Sequence, residues 1–165
     1  MIIKKAGIAD IEIIRSLVFK IWPVAYKEIL SEAQIRYMLQ LFYDADELKK
    51  QIQSPCCHYL IGYQHNLPIS FAAYHFYHED KLKCKLDKIY ILPQQQNAGF
   101  GRQLLQAVIR EAKQENAISL TLHVNRYNKA FDFYVKMGFH IIREEDMDIG
   151  NGFFMNDYVM ELKIA

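Results

Sequence analysis

The feature that most constrains the fold is a stretch in which an apolar strand runs through a glycine turn into an amphipathic helix. The strand is stopped by Pro93, the turn carries Gly99 and Gly101, and helically spaced apolar residues follow at once. Glycine lets backbone N–H groups approach a ligand closely, and the free N–H groups of a helix N-terminus favour an anion such as a diphosphate. A bare Gly-x-Gly also serves as a simple strand-to-helix turn, so both interpretations stay open here.

Two nucleotide-binding motifs are excluded at this turn. A dinucleotide fingerprint requires a third glycine where this chain has Leu104, and a phosphate-binding P-loop requires Gly-Lys-Ser/Thr after its loop. A nucleotide-binding α/β domain is therefore disfavoured.

Composition predicts one ordinary globular domain spanning residues 1–165. The 165 residues suffice to bury a sizeable core, and no linker or repeat divides them. A net charge of +1 without a Lys/Arg run argues against binding to nucleic acid. No apolar run is long enough to span a membrane, and the N-terminus does not resemble a signal peptide. Three cysteines with no metal-ligand spacing indicate buried thiols in a reducing compartment, so we expect a cytoplasmic protein without a metal.

The first third of the chain is predicted to be a strand followed by helices. Ile2 to Ala6 is a strand, and Asp10 caps a helix that Pro23 ends. A capping box of Ser31 and Gln34 opens a second helix. Asp44 opens a third helix that continues to about Ser54.

The remainder alternates strands and helices. The predicted strands are 58–63 and 69–77, joined at His65-Asn66, then 83–92, 119–125, 139–143 and 153–163. Helices are predicted over 101–115 and 128–137, the second ended by Gly138. Since helices lie between groups of strands, the class is α/β with a mixed sheet.

Two ordered motifs resemble the GNAT superfamily of N-acetyltransferases. The turn is similar to that family's coenzyme A motif, Gln/Arg-x-x-Gly-x-Gly/Ala, as Gln96-Asn-Ala-Gly-Phe-Gly101. Downstream, Leu120-Thr-Leu-His-Val124, then Asn128, Ala130-Phe-Asp-Phe-Tyr134 and Met137-Gly-Phe139 match a second family segment. A looser likeness, in residues 22–31 and 152–161, is to the polyamine (spermidine/spermine) acetyltransferase branch. The resemblance implies a single-domain GNAT fold with a mostly antiparallel sheet of about seven strands flanked by helices.

The resemblance also implies residue roles with acetyl-CoA as co-substrate. The backbone of Ile89, Tyr90 and Ile91 would pair with the pantetheine arm, and Asn128 would contact the coenzyme near it. Tyr134 would face the thioester sulfur. The pyrophosphate would be held by the turn, namely Gln96, Asn97, Ala98, Gly99, Phe100, Gly101 and Arg102, with Arg102 either contacting phosphate or lying in solvent.

Acetyl transfer requires a neutral amine and a proton for the departing thiolate. At pH 7 roughly one alkylamine in a thousand is neutral, a handicap of about 4–5 kcal/mol. We expect Tyr134 to supply the thiolate's proton, with core packing as the alternative role. His123, where several family members carry glutamate, is the candidate base, although a polar residue on a half-exposed strand is the simpler interpretation. His75, His78 and Glu79 are rival bases.

The sequence leaves the acceptor open. A polyamine, a protein N-terminus or lysine, and an amino-acid-like metabolite all remain, as does a non-catalytic module that senses acyl-CoA. Trp22 and Tyr26 either line an acceptor pocket or pack between helices. Acidic residues that can attract a cationic amine are Asp44, Asp46, Glu47, Glu79, Asp80, Asp146, Asp148 and Asp157. The expected partner is a small-molecule or peptide amine, and the chain is expected to be a monomer or homodimer.

Overall fold

A seven-stranded sheet with helices on both faces forms the framework of the protein. The computed structural model describes residues 1–80 and 82–165. The strands are β1 (Ile2–Lys5), β2 (Cys57–Gln64), β3 (Leu67–Phe76), β4 (Lys83–Ile91), β5 (Ser119–Asn125), β6 (His140–Gly150) and β7 (Phe153–Lys163). The α-helices are α1 (Ile11–Ala25), α2 (Glu32–Tyr43), α3 (Ala45–Gln53), α4 (Phe100–Gln114) and α5 (Ala130–Lys136).

The strand order is β1-β2-β3-β4-β5-β7-β6. Every neighbouring pair is antiparallel except β4 and β5, which are parallel because α4 crosses between them. The predicted α/β class with a mixed, mostly antiparallel sheet of seven strands is confirmed.

Each face of the sheet carries its own apolar core. Leu120, Leu122 and Val124 on β5 pack with α4 and α5 on one face, as their alternation predicts. On the other face α1, α2 and α3 pack against β2 and β3 through residues such as Ile14 and Phe71. Thr121, His123 and Asn125 therefore point to the side where α1 and α2 lie. Among the described residues, no helix is both long and apolar enough to cross a membrane.

The helix starts follow the predicted caps at two of three positions. The Ser31 hydroxyl accepts from the Gln34 N–H at 3.1 Å, and Asp44 accepts from the Asp46 N–H at 3.0 Å. Gln34, however, does not complete the capping box, because its side-chain amide donates to the Phe154 carbonyl at 2.8 Å. Asp10 closes a short 3-10 turn by accepting from the Gly7 N–H, and makes no side-chain cap to α1.

The prediction that Pro23 ends the first helix was wrong. Helix α1 continues through Pro23 to Ala25, and the Tyr26 N–H still donates to the Trp22 carbonyl at 3.0 Å. Proline disfavours a helical residue before it, but that residue is Trp22, which is buried between Tyr26 and Tyr43. Tertiary packing of the indole ring thus outweighs the local preference.

The prediction ended the strand that begins near residue 139 too early. Instead of ending at Arg143, β6 runs from His140 to Gly150 and forms a long hairpin with β7. Its outer half is acidic and exposed, as an edge strand tolerates, so no apolar alternation revealed it. The earlier hairpin, by contrast, turns at His65 and Asn66 as predicted, with φ of 49° and 62°.

The tip of the β6–β7 hairpin is fastened to α2. The Tyr37 hydroxyl donates to the Ile149 carbonyl at 2.7 Å, and the Tyr37 ring packs on Phe153 with centroids 5.4 Å apart. Together with the bond from Gln34 to Phe154, these contacts carry the C-terminal hairpin across to the helices on the α1–α2 face.

Candidate active site

A cleft opens where β4 and β5 stop pairing. Their register runs only from Lys83–Ser119 to Leu86–Leu122, although both strands continue beyond those residues. At the same level β4 contains a bulge, since Ala73 faces Lys88 while Tyr74 faces Leu86, which leaves Asp87 as the extra residue. The cleft has a volume of about 1670 Å³, more than the roughly 300–1,000 Å³ of a single small-molecule pocket.

One wall of the cleft is an open strand edge. The Leu92 N–H donates to the Ile69 carbonyl of β3 at 2.9 Å. Because backbone groups alternate along a strand, those of Tyr90 also face β3, opposite Phe71, whereas those of Ile89 and Ile91 face the cleft. The sequence grouped all three residues together. The register shows that Tyr90 differs from Ile89 and Ile91, because its backbone groups pair with β3 and only its side chain can line the cleft.

The glycine turn lies at the end of this edge. Asn97 and Gly99 have φ of 65° and 78°, the left-handed region that favours asparagine and glycine. The first backbone bond of α4 runs from the Gln103 N–H to the Gly99 carbonyl at 3.1 Å, so the preceding N–H groups, of residues 100–102, lie at the helix N-terminus. The turn thus has the backbone donors that a diphosphate requires.

The fold itself does not require glycine at position 101. A Cβ there would lie 3.7 Å from the Phe133 ring and 3.9 Å from Ile91, which are ordinary contacts. Gly101 also stands inside α4, where glycine is less stable than alanine. Its presence fits close approach of a ligand to the backbone.

The predicted residues of the turn do not all face the cleft. Gln96, Asn97, Gly99, Gly101 and Arg102 line it. The Phe100 side chain is buried in the core instead, and the exposed Ala98 is not part of the lining. Any contribution of these two comes from the backbone. The Gln96 side-chain amide lies 3.4 Å from the Ile91 carbonyl and so covers part of the open edge.

The opposite wall carries Asn128 and Tyr134. The Asn128 side-chain oxygen accepts from the Ala130 N–H at 2.9 Å and thereby shapes the start of α5. Tyr134 is 8% exposed and packs edge-on against Phe133 and Phe139. Burial, with a smaller effect from Tyr26, raises the pKa of the Tyr134 phenol well above its usual range. Tyr134 is therefore a protonated hydroxyl that lines the cleft.

His123 lies just beyond the last β4–β5 pair and lines the cleft. Its Nδ1 atom is 3.5 Å from a Glu145 carboxylate oxygen and 3.9 Å from one of Asp157. Burial, followed by the charge of Lys85, lowers the pKa of His123 below 6.5 despite the opposing charge of Glu145. His123 is thus largely neutral at pH 7.

The sequence did not single out Asp157, which was predicted only as one of eight acidic residues that can attract a cationic amine. It is 5% exposed, lies opposite Asn125 on β5 and Glu145 on β6, and lines the cleft. Burial and then the charge of Glu145 raise its pKa from 3.8 to about 6. The available signal was a carboxylate inside the apolar run of β7.

The rival bases are less well placed than His123. The ring of His75 is engaged with Asp87, Nδ1 to Oδ2 2.6 Å, and His78 is exposed at the cleft rim. Glu79 is exposed and is not among the residues that line the cleft. The rings of Trp22 and Tyr26 pack together at 4.7 Å, and both residues line the cleft.

Comparison with known proteins agrees with this geometry. The model of the acetyltransferase (GNAT) family matches residues 16–139. A spermidine N(1)-acetyltransferase of Thermoplasma acidophilum is 27% identical, with 98% of this chain and 96% of the relative covered. The crystal structure of PaiA N-acetyltransferase from the same organism, in complex with coenzyme A, superposes with a TM-score of 0.84 at 26% identity, covering 98% of both chains.

A second solved structure shows the same fold at lower identity. It is a GCN5-related N-acetyltransferase from Rhodopseudomonas palustris, with a TM-score of 0.83 at 18% identity, covering 98% of this chain and 94% of the other. The family model alone spans most of the present chain. The protein is therefore a member of the acetyltransferase (GNAT) family.

Proposed function

We propose that the protein transfers the acetyl group of acetyl-CoA to a primary amine, and that the amine is a small polycation such as spermidine. The observation that carries the first part is the open edge of Ile89 and Ile91, which leads directly to the N-terminus of α4. An extended pantetheine arm pairs with such an edge as a neighbouring strand would, and the diphosphate then reaches the glycine turn.

Acetyl-CoA fits the residues present. Backbone donors at Asn97 to Arg102 would hold the pyrophosphate, and the side chain of Arg102 would add a positive charge. Asn128 lines the same cleft and would contact the coenzyme near the pantetheine. When bound, the coenzyme supplies the activated acetyl thioester.

Deprotonation of the acceptor is assigned to His123. The acceptor nitrogen must lose a proton before it forms a bond to the thioester carbon, and a neutral imidazole in the cleft can take it. The carboxylates of Glu145 and Asp157 lie on the Nδ1 side of the ring, which favours a proton on Nδ1 and leaves Nε2 as the base. They also stabilise the imidazolium that results.

Tyr134 is assigned the role of acid. As the bond from carbon to sulfur breaks, the thiolate takes the phenolic proton. The nitrogen of the new amide releases its second proton, which restores the Tyr134 phenol, and the proton held by His123 passes to solvent. A backbone N–H near Ile91 stabilises the oxyanion that precedes this step. The products are the N-acetylated amine and free coenzyme A.

The name of the Thermoplasma relative supports a polyamine as acceptor. The α1–α2 face of the cleft adds an aromatic and apolar lining around Tyr26, Leu30, Phe154 and Met155, with Asp157 among them. Aromatic rings and methylene-sized apolar contacts suit an alkylamine chain, and carboxylates suit its charges. A protein N-terminus, a lysine, or an amino-acid-like metabolite are the other acceptor classes.

A panel of amines tests the proposal. The protein is mixed with acetyl-CoA and each amine, and the release of free thiol is followed. We expect spermidine to exceed simple monoamines in kcat/KM at low salt, and its advantage to shrink as salt screens the carboxylates. If coenzyme A binds but no amine gives thiol release, the protein is a non-catalytic sensor. If spermidine is no better than monoamines, the polyamine assignment fails.

A further inference from the structure

Asp157 is a nearly buried carboxylate with no hydrogen-bonding partner for its side chain among the described residues. Its side chain is 6% exposed, and the residue lines the cleft on the face where α1 and α2 lie. The nearest group able to carry a positive charge is His123, whose Nδ1 is 3.9 Å away. A buried carboxylate usually has a cation or several donors, so the position lacks its partner.

The surrounding cations are engaged elsewhere. Arg126 pairs with Glu144 at 2.9 Å and with Asp146, and Lys85 lies 3.8 Å from Asp87. They lower the pKa of Asp157, but burial and Glu145 raise it by more. The titratable groups that face Asp157 from the neighbouring elements are Glu145 of β6, His123 of β5, Lys85 of β4, Arg126 after β5 and Tyr26 at the end of α1.

A carboxylate is poorly suited to the nitrogen that reacts. An adjacent negative charge holds an amine in its protonated form, which opposes attack on the thioester. The same charge stabilises a nitrogen that stays protonated throughout the reaction. His123, whose Nδ1 lies on the side of the two carboxylates, offers the reacting amine a neutral Nε2 on the other side of its ring. The pair thus separates a place for a permanent ammonium from a place for a reacting amine.

We propose that Asp157 binds an ammonium group of the acceptor that is not acetylated, and so gives the enzyme its preference for polyamines over monoamines. This inference rests on the proposed function, of which it names one specificity-determining residue. Binding of the ammonium stabilises the carboxylate, so a protonated Asp157 releases its proton to solvent when the acceptor binds.

Calorimetry on the wild-type protein saturated with coenzyme A tests this without catalysis. Spermidine binding, measured in two buffers of different ionisation enthalpy, should release about half a proton at pH 6, because the carboxyl is then half protonated. At pH 5 spermidine affinity should be about tenfold weaker than at pH 7.5. His123→Gln should keep both effects, since it retains Asp157.

The isosteric variant Asp157→Asn should bind spermidine at least tenfold more weakly, release no proton near pH 6, and lose most of the spermidine-over-butylamine ratio of kcat/KM. Its affinity for coenzyme A reports that the cleft is intact. Asp46→Asn, an exposed position on α3, removes the same charge and should change none of these values. The inference is overturned if Asp157→Asn binds spermidine as tightly as the wild type and still releases the proton. It is also overturned if the variant loses kcat/KM equally for spermidine and butylamine.

Failure of the proposed function gives a different result. If no amine is acetylated although spermidine binding depends on Asp157, the assignment of Asp157 stands and the catalytic assignment falls. If spermidine is acetylated equally well by Asp157→Asn, the catalytic assignment stands and this inference falls.

Discussion

The hydroxyl of Tyr26, at the end of α1, lies 3.1 Å from the hydroxyl of Tyr90 on β4. Burial raises the pKa of both phenols, that of Tyr90 more strongly. The bond joins the helical layer to the strand whose open edge lines the cleft. It therefore helps to fix the position of α1 relative to the edge at Ile89 and Ile91.

This bond predicts a non-additive effect on stability. Tyr26→Phe or Tyr90→Phe leaves one partly buried hydroxyl without this partner, and each should lower the free energy of unfolding by about 1–2 kcal/mol. The double variant removes both hydroxyls, so it should cost less than the sum of the two. Urea unfolding of the four proteins measures the coupling. Additive losses would mean that the bond contributes nothing.

Gly101→Ala should separate folding from coenzyme binding. The added methyl group meets only ordinary contacts in the protein, and alanine is the better helix former, so stability should stay constant or rise by up to about 1 kcal/mol. In the proposed binding mode the diphosphate approaches the backbone at this position, so the methyl group should lower coenzyme A affinity severalfold.

Larger side chains at the turn sharpen this test. Gly101→Val and Gly99→Val should weaken coenzyme A further, although the second also strains a residue with φ of 78°. Gly7→Ala is the matched control, since a Cβ there also has open space and lies outside the cleft. Unchanged coenzyme A affinity in both valine variants would remove the turn from the binding site.

Tyr134→Phe should retain coenzyme A binding and lower kcat by about 10²–10⁴-fold, the usual contribution of a positioned acid. The ring keeps its packing against Phe133 and Phe139, so the melting temperature should change little. Tyr63→Phe, on β2 and outside the cleft lining, is the control for losing a phenol. Turnover at the parent rate would assign the proton to another group.

His123→Ala should remove the acidic limb of the kcat profile. Because burial and Lys85 lower the pKa of His123, that limb should lie below pH 6.5 in the parent enzyme. The enzyme is expected to be active above this pKa, where the imidazole is neutral, and to lose activity as the pH falls through it. The pH dependence that Asp157 contributes should appear in KM instead, so the two are separable. An acidic limb that persists in the variant would identify a different base.

Asp157→Asn should raise stability at neutral pH and have no such effect in acid. The folded carboxyl has a pKa of about 6 against an ordinary 3.8, so the folded state binds the proton more tightly. Below pH 3.8 the carboxyl of Asp157 therefore does not lower the free energy of unfolding. As the pH rises from 3.8 through 6, its ionisation lowers that free energy progressively. Allowing for solvent in the cleft, we expect a gain of about 1–2 kcal/mol at pH 7. Thermal unfolding at pH 4 and 7 checks the sign.

The fold was largely predictable because its strands and helices carry clear periodic patterns. Alternation in β5 placed Leu122 and His123 on opposite faces, and Ser31 and Asp44 marked two helix starts correctly. Pro23 misled the prediction because the packing of Trp22, which is not local, decides the end of α1.

The acidic side of the site was not predictable in the same way. His123, Glu145 and Asp157 come from β5, β6 and β7, and they meet because β7 lies between the other two strands. A sequence pattern gives each strand but not this order of pairing. Burial at one end of the cleft then sets the pKa of Asp157, and burial depends on the assembled fold.

The short register between β4 and β5 also bears on how the protein opens. Among the described residues, β4 and β5 pair only from Lys83–Ser119 to Leu86–Leu122, with the Leu82 carbonyl accepting from the Ile118 and Ser119 N–H groups just before those pairs. Without coenzyme, amide hydrogens at Ile89 and Ile91 should exchange rapidly, and β5–β7 should unfold at lower free energy than β1–β3. Bound coenzyme would slow exchange on both sides of the gap together, converting two separately opening units into one cooperative unit.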